Sequence, residues 1–173
     1  IFAKEGTVYE KGRVHRRMMQ RECEELYKNS GHEVAVHSLT HPHFETMPSA
    51  AIAYEVIEDR RRLESIFGKV VSGLAYPFGY PLGTYSDEVV GTLKSCGIKY
   101  ARTVKTTESF AIPTDWLRMP TTCHHNNPRL MELADKFVNE SPRDEPWLFY
   151  LWGHSYEFEG NDNWNVIEDF AKE

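Results

Sequence analysis

Glu33-Val34-Ala35-Val36-His37 reads as a short strand, and Ser38-Leu39-Thr40-His41-Pro42 continues it as a polar loop. Residues 49–67 then carry Ile52, Val56, Leu63 and Phe67 on one helical face, with Gly68 at the stop. Val70 to Tyr76 is the next strand, β-branched at its start, and Pro77-Phe78-Gly79-Tyr80-Pro81-Leu82-Gly83 has to be a loop. Strand, helix and strand in that order and at those lengths make a βαβ unit, and so a parallel sheet.

The flanking segments repeat the alternation. Residues 16–29 place Met19, Cys23, Leu26 and Tyr27 at helical spacing, closed by Asn29-Ser30-Gly31. Ser86 caps a helix that runs to Cys96, with Asp87 and Glu88 in its first turn and Gly97 as its cap. Ile98 to Val104 is a strand, 105–114 a polar loop, and Trp116 to Met119 a short strand. Asn127-Pro128 opens a helix whose Leu130, Leu133, Ala134, Phe137 and Val138 face inward. Trp147 to Trp152 is six apolar residues in a row, expected as a strand buried on both faces. A last helix starts at Asn161-Asp162-Asn163 and carries Val166, Ile167 and Phe170. The expectation is an α/β chain with a parallel sheet, open or closed into a barrel. With no repeat and no linker, residues 1–173 are read as a single domain.

Composition removes several classes of function. The chain has 173 residues and a formal charge of -6, the wrong sign for a nucleic-acid footprint. Mean hydropathy is -0.55, and no apolar run approaches the ~18 residues of a membrane span. Hydrophobic residues at 40% and aromatics at 13% exclude a disordered acidic tail. Cys23, Cys96 and Cys123 show no CxxC spacing and no disulfide framework. The start at Ile1 shows no charged region followed by an apolar one, so no signal peptide is read there, and the compartment stays open.

In parallel α/β folds the chemistry gathers at the carboxyl ends of the strands. Of the eight histidines, five fall there: His37, His41, His124, His125 and His154. His37 and His41 could meet one cation if the turn between them is helical, which Pro42 would limit; the bland alternative is two loop histidines bonded to backbone or water. His154, held after a buried strand by Gly153, suits a general acid or base, or else simply caps the strand end. His124-His125 reads as solvated loop, and His15, His32 and His43 as surface. Trp147 and Trp152 belong to the core, and Trp164 is the better rim aromatic for a sugar ring. Arg60-Arg61-Arg62 is a solvated face. P-loop, GxGxxG and GxSxG motifs are absent, which argues against nucleotide cofactors and the α/β-hydrolase elbow.

Gly31-His32-Glu33-Val34-Ala35-Val36-His37-Ser38-Leu39-Thr40-His41 resembles the second motif of the polysaccharide deacetylases, the NodB-homology or carbohydrate esterase family 4 domain, H-[ST]-x-x-H. Tyr76-Pro77-Phe78-Gly79 resembles the third, R-x-P-[FY]-G, and the strand leading to His154 resembles the last. The resemblance implies a distorted (β/α) barrel of the NodB type. It implies a divalent metal on His37 and His41, zinc first and cobalt or nickel next, and His154 as catalytic acid. It also implies a groove walled by Tyr76, Pro77 and Phe78, to which the rim aromatic Trp164 is added. The implied reaction is hydrolysis of N- or O-acetyl groups on a glycan, resembling peptidoglycan or chitooligosaccharide. Three features depart from the family. Its first motif, a strand ending in an aspartate pair that supplies the base and the third metal ligand, has no counterpart before His37, so the barrel is expected to be incomplete at the N-terminus. Ala75 stands where the third motif has arginine. The fourth motif, an aspartate-tryptophan pair, finds only Asp115-Trp116.

Two other functions stay open: a carbohydrate-binding relic or truncated fragment, and a hydrolase of small amides on the same scaffold. A gap left by the first strand would expose a strand edge, which is expected to pair with another copy of the chain.

Overall fold

The computed structural model describes residues 18–78, 85–140 and 144–173. Their elements are α1 (Gln20–Tyr27), α2 (Ser49–Phe67), β1 (Gly73–Ala75), α3 (Asp87–Ser95), β2 (Tyr100–Thr106), β3 (Met119–Thr121), β4 (Cys123–His124), α4 (Leu130–Asn139), β5 (Leu151–Trp152), α5 (Ser155–Asn161) and α6 (Trp164–Lys172). The fold is α/β. Among the described residues the strands form one sheet in the order β1-β2-β3 and a second of β4 and β5, and no closed barrel is seen. The chain divides into two compact units: residues up to Arg102 with Trp116–Arg118, and Thr103–Asp115 with Met119–Glu173.

The first unit is built around α2. Its buried stripe is Ile52, Val56, Ile66 and Phe67, and Gly68 ends it in the left-handed conformation at φ +66°. The same stripe carries two charges, Glu55 and Asp59. α3 begins as expected, with the Ser86 hydroxyl accepting from the Val89 N–H. β1 runs parallel to the first half of β2, from Gly73 opposite Tyr100 to Ala75 opposite Arg102. On the other side of β1, the strand expected at 33–37 is extended chain held by one parallel bridge, Val36 to Leu74. The Val36 N–H donates to the Gly73 carbonyl, and the Ala75 N–H donates to the Val36 carbonyl, each at 2.9 Å. Val36, Phe44, Ile52, Leu74, Leu93 and Ala101 make the centre of this core. Of the loop expected at 77–83, only Pro77 and Phe78 lie within the described residues.

The second unit packs Phe110, Cys123, Leu130 and Leu133 against Phe149, Leu151, Val166 and Phe170. β4 and β5 are parallel, with Cys123 opposite Leu151 and His124 opposite Trp152.

Two expected strands need correction. Trp116–Arg118 is a 3-10 turn, and the strand starts only at Met119. The turn's polar groups serve side chains rather than a ladder: the Leu117 carbonyl accepts from the Tyr76 hydroxyl, and Arg118 bonds the Tyr85 carbonyl and Asp87. The six-residue strand at Trp147–Trp152 shrinks to Leu151–Trp152, and its residues are half-buried. The Thr122 hydroxyl takes the Tyr150 N–H, and Leu148 and Trp147 instead pair with Phe110 and Ala111, so no single partner strand runs its length. A helix not expected from the sequence, α5, follows His154 directly.

Gly73 is required by its cross-strand neighbour, because a Cβ there would overlap the Tyr100 ring. Gly73→Ala is expected to lower stability by about 1–3 kcal/mol through overpacking. The change should show as a lower urea midpoint at constant m value, partly restored when Tyr100→Ala is added.

Candidate functional site

Val36 is buried, and His37 emerges from the strand end into solvent. The His37 Nδ1 lies 2.8 Å from the Ala75 carbonyl. A carbonyl can only accept, so Nδ1 carries the proton and Nε2 holds the lone pair that a metal needs. The His41 ring stands edge-on to it, with centroids 4.8 Å apart. The two imidazoles meet without the helical turn that their spacing suggested. Ser38 and His41 are both left-handed, at φ +66° and +60°. Side chains rarely adopt that region without compensation.

The compensation comes from hydrogen bonds. The Ser38 hydroxyl accepts from the His41 N–H at 3.0 Å. Thr40 donates both its N–H and its hydroxyl to the two oxygens of Glu55, each at 2.8 Å. The His37 N–H donates to Asp59 at 2.9 Å. Glu55 and Asp59 are only 6% and 7% exposed. Burial pushes Asp59 above its ordinary pKa, against the lowering effect of the His37 amide.

Of the residues expected to line a groove on this unit, Tyr76 and Pro77 are buried, Tyr76 to 1% exposure with its hydroxyl spent on the Leu117 carbonyl. Phe78 is 47% exposed. Its ring stacks on His43 at 3.8 Å and meets His41 edge-on at 4.3 Å, so it is the aromatic beside the histidine pair. Trp164 belongs to the second unit, where its indole N–H donates to Glu159.

The second unit holds a separate cluster. Parallel pairing sets the ends of β4 and β5 side by side, and α5 begins immediately after His154, with Glu157 in its first turn. The His154 Nδ1 lies 2.7 Å from the Glu157 Oε1. The other oxygen lies 3.3 Å from the His124 Nε2, 3.0 Å from the His125 Nε2 and 3.1 Å from the Asn126 amide nitrogen. Four nitrogens therefore ring one carboxylate, but the buried His125 Nε2 is not aligned for a hydrogen bond to it. His125 is not the solvated loop residue expected from the sequence: it is 2% exposed, and a Cβ on Gly153 would overlap its ring. A cavity of about 300 Å³ lies beside His154, walled by His125, Trp152, Phe158 and Ile167.

His124, His154 and Glu157 each place a ligand atom within 4.8 Å of the others, the composition of a metal-binding set. The protons argue for a different use. The Asn126 N–H donates to the His124 Nδ1 at 3.1 Å, so the neutral ring keeps its proton on Nε2, toward Glu157. A cation at Nε2 would have to displace that proton and leave both ring nitrogens as acceptors. The cluster is better suited to holding protons. Burial lowers the pKa of both His124 and His125, in His124 helped by the field of His125, and Glu157 opposes this in both. Burial works to raise Glu157, but the His154 hydrogen bond and the fields of all three rings bring it below its ordinary value. The Glu157 carboxylate accepts from the His154 Nδ1–H, which places the lone pair on the His154 Nε2.

The model of the polysaccharide deacetylase family matches residues 6–101. The chain belongs to the polysaccharide deacetylase family. Solved structures agree on the fold. The Streptococcus pyogenes deacetylase PplD, in complex with acetate, is 17% identical over 61% of this chain and 46% of its own, with a TM-score of 0.52. A polysaccharide deacetylase from Bacillus cereus is 26% identical over 62% of this chain and 32% of its own, at 0.50. A CE4 family pseudoenzyme from Bacillus anthracis is 18% identical over 88% and 47%, at 0.50. The chain thus spans less than half the length of each of these structures. Comparison with curated protein sequences finds no match.

The family match takes in the His37–His41 turn, α2 and Tyr76-Pro77-Phe78, and stops before the His154 cluster. Three residues of these two clusters were missed in the sequence. Glu55 and Asp59 were visible as charges on the apolar stripe of α2, and Glu157 as the fourth residue of a His-x-x-Glu run at a helix start.

The cluster makes stability depend on pH. His124 and His125 have lowered pKa values, so below about 6.5 the unfolded chain binds more protons than the folded one, and stability falls. Glu157, also lowered, adds a further loss as the pH drops below about 4.3. Thermal melts from pH 7.5 to 4 are expected to show a falling midpoint, with a shallower slope below pH 6.5 in His124→Asn.

Proposed function

We propose that the protein hydrolyses N- or O-acetyl groups of a glycan with the help of one divalent metal ion. Residues 1–173 are then read as part of one deacetylase domain of the distorted (β/α) barrel type. The observation that carries the reading is the His37 tautomer set by the Ala75 carbonyl, beside His41, within the stretch that matches the family. His37 through Nε2, together with His41, suits zinc, with cobalt or nickel as alternatives. When bound, such an ion supplies Lewis-acid chemistry at an acetyl carbonyl.

The chain's own residues account for the remaining roles. His154, held by Glu157 through Nδ1, passes a proton from Nε2 to the leaving amine or alkoxide. Phe78 and Trp164 offer exposed aromatic faces to sugar rings. Glu55 and Asp59 are not assigned as the base, since both are engaged by donors of the histidine turn. The acetate bound in the Streptococcus pyogenes deacetylase is the product class that this reading predicts. A second reading, a carbohydrate-binding relic, is favoured by Ala75 at the position of the family's arginine.

Elemental analysis of the purified protein is expected to find about one equivalent of zinc, cobalt or nickel, lost in His37→Ala. Acetate release from chitooligosaccharide should then fall by about 10²–10⁴-fold in His154→Gln. Metal without acetate release would favour the relic, and cleavage of a small cyclic amide in place of the glycan would favour the amide hydrolase.

A further inference from the structure

We infer that Glu55 and Asp59 are the positioning residues of the histidine pair: two acceptors on one face of α2 hold Ser38 to His41 in the turn that brings the imidazoles together. The inference rests on the metal-ligating role proposed for His37 and His41.

The geometry leaves these carboxylates little other purpose. They sit four residues apart in a buried stripe otherwise made of Ile52, Val56, Ile66 and Phe67. Buried charges persist when they are hydrogen-bonded. The donors they meet are the His37 N–H, the Thr40 N–H and the Thr40 hydroxyl, all from one turn. Arg62, on the same helix, adds a favourable field at Asp59.

The turn needs such support. Its two left-handed residues, Ser38 and His41, are not glycines. The segment joins the sheet through the Val36 bridge and the His37 ring contact with Ala75. One helical turn separates the two acceptors by about 6 Å along the axis, a fixed ruler against which the His37 and Thr40 amides are set. Relaxation of Ser38 or His41 into an ordinary region would swing the second imidazole away from the first. The acceptor oxygens, rather than the charges, do the positioning, because each is used by a specific donor.

The test compares Glu55→Ala and Asp59→Ala with Glu55→Gln and Asp59→Asn, which keep an acceptor oxygen, and with Thr40→Val, which removes one donor and leaves α2 untouched. Cobalt(II) is titrated into the full chain, reading its dissociation constant and visible d–d spectrum. Amide hydrogen exchange at His37, Thr40 and His41 is followed without metal. The alanine variants are expected to bind cobalt about 10–100-fold more weakly, with an altered spectrum and faster exchange confined to the turn. Glu55→Gln and Asp59→Asn should stay within about threefold of the parent, well short of that loss, since the glutamine oxygen keeps the Thr40 N–H and the Thr40 hydroxyl can turn to accept from the new amide N–H. Thr40→Val should exchange faster in the turn.

Folded alanine variants with the parent's affinity, spectrum and exchange would overturn the inference. So would glutamine and asparagine variants as weak as alanine, which would make charge the cause. If the alanine variants do not fold, Thr40→Val decides: unchanged affinity and exchange overturn the inference. If the parent binds no cobalt, the metal reading itself fails, and the exchange data alone decide whether the carboxylates hold the turn.

Discussion

A single parallel bridge governs the first unit. Val36 is the one residue of its segment that joins the ladder, and it does so with both its N–H and its carbonyl. Once Val36 is registered against Leu74, the next residue must leave the sheet opposite Ala75. The Ala75 N–H is already given to Val36, and its carbonyl remains to meet the His37 ring. Ring orientation and tautomer therefore follow from strand register. A slip of one residue would bury His37 and turn Val36 to solvent, which the apolar surroundings of Val36 in the core oppose.

The two units use buried or half-buried carboxylates for opposite tasks. Glu55 and Asp59 accept mainly from backbone, and they offset the cost of a strained turn. Glu157 accepts from side chains, holding the Nδ1 proton of His154 and lying within ion-pair distance of His124 and His125. A carboxylate that receives backbone amides fixes a chain conformation. One that receives imidazole N–H groups fixes a protonation pattern, and so ties local stability to pH near neutrality. In Glu157 burial works to raise the pKa, and the His154 hydrogen bond and the fields of the histidines outweigh burial and lower it.

Much of this was legible in the sequence. α2 spans the residues that its apolar spacing and Gly68 marked, and α3 carries the cap that Ser86 announced. Both are local signals, complete within one element. The failures were non-local. Trp147–Trp152 is apolar throughout, yet its length as a strand depends on partners at Phe110, Ala111 and Thr122, distant in the chain. His125 looked solvated because its neighbours are polar, and its burial depends on Gly153 leaving room for the ring from another strand. Tyr76 looked like a groove wall because it lies in a motif, but it is buried and its hydroxyl finds the carbonyl of Leu117, forty-one residues away.

Ala75 stands where the resembled third motif has arginine, and its place in the fold shows what alanine changes there. A side chain at that position is replaced by a methyl group, so any contact an arginine would make is lost. The carbonyl of the same residue still orients His37, and no substitution can remove a carbonyl. The histidine pair is thus held by backbone and by the donors that Glu55 and Asp59 receive, while an arginine at position 75 would act through its side chain. Loss of the second therefore does not entail loss of the first. In this chain the histidine pair keeps its hydrogen-bonded turn with alanine at position 75, because none of the bonds given for that turn uses the Ala75 side chain.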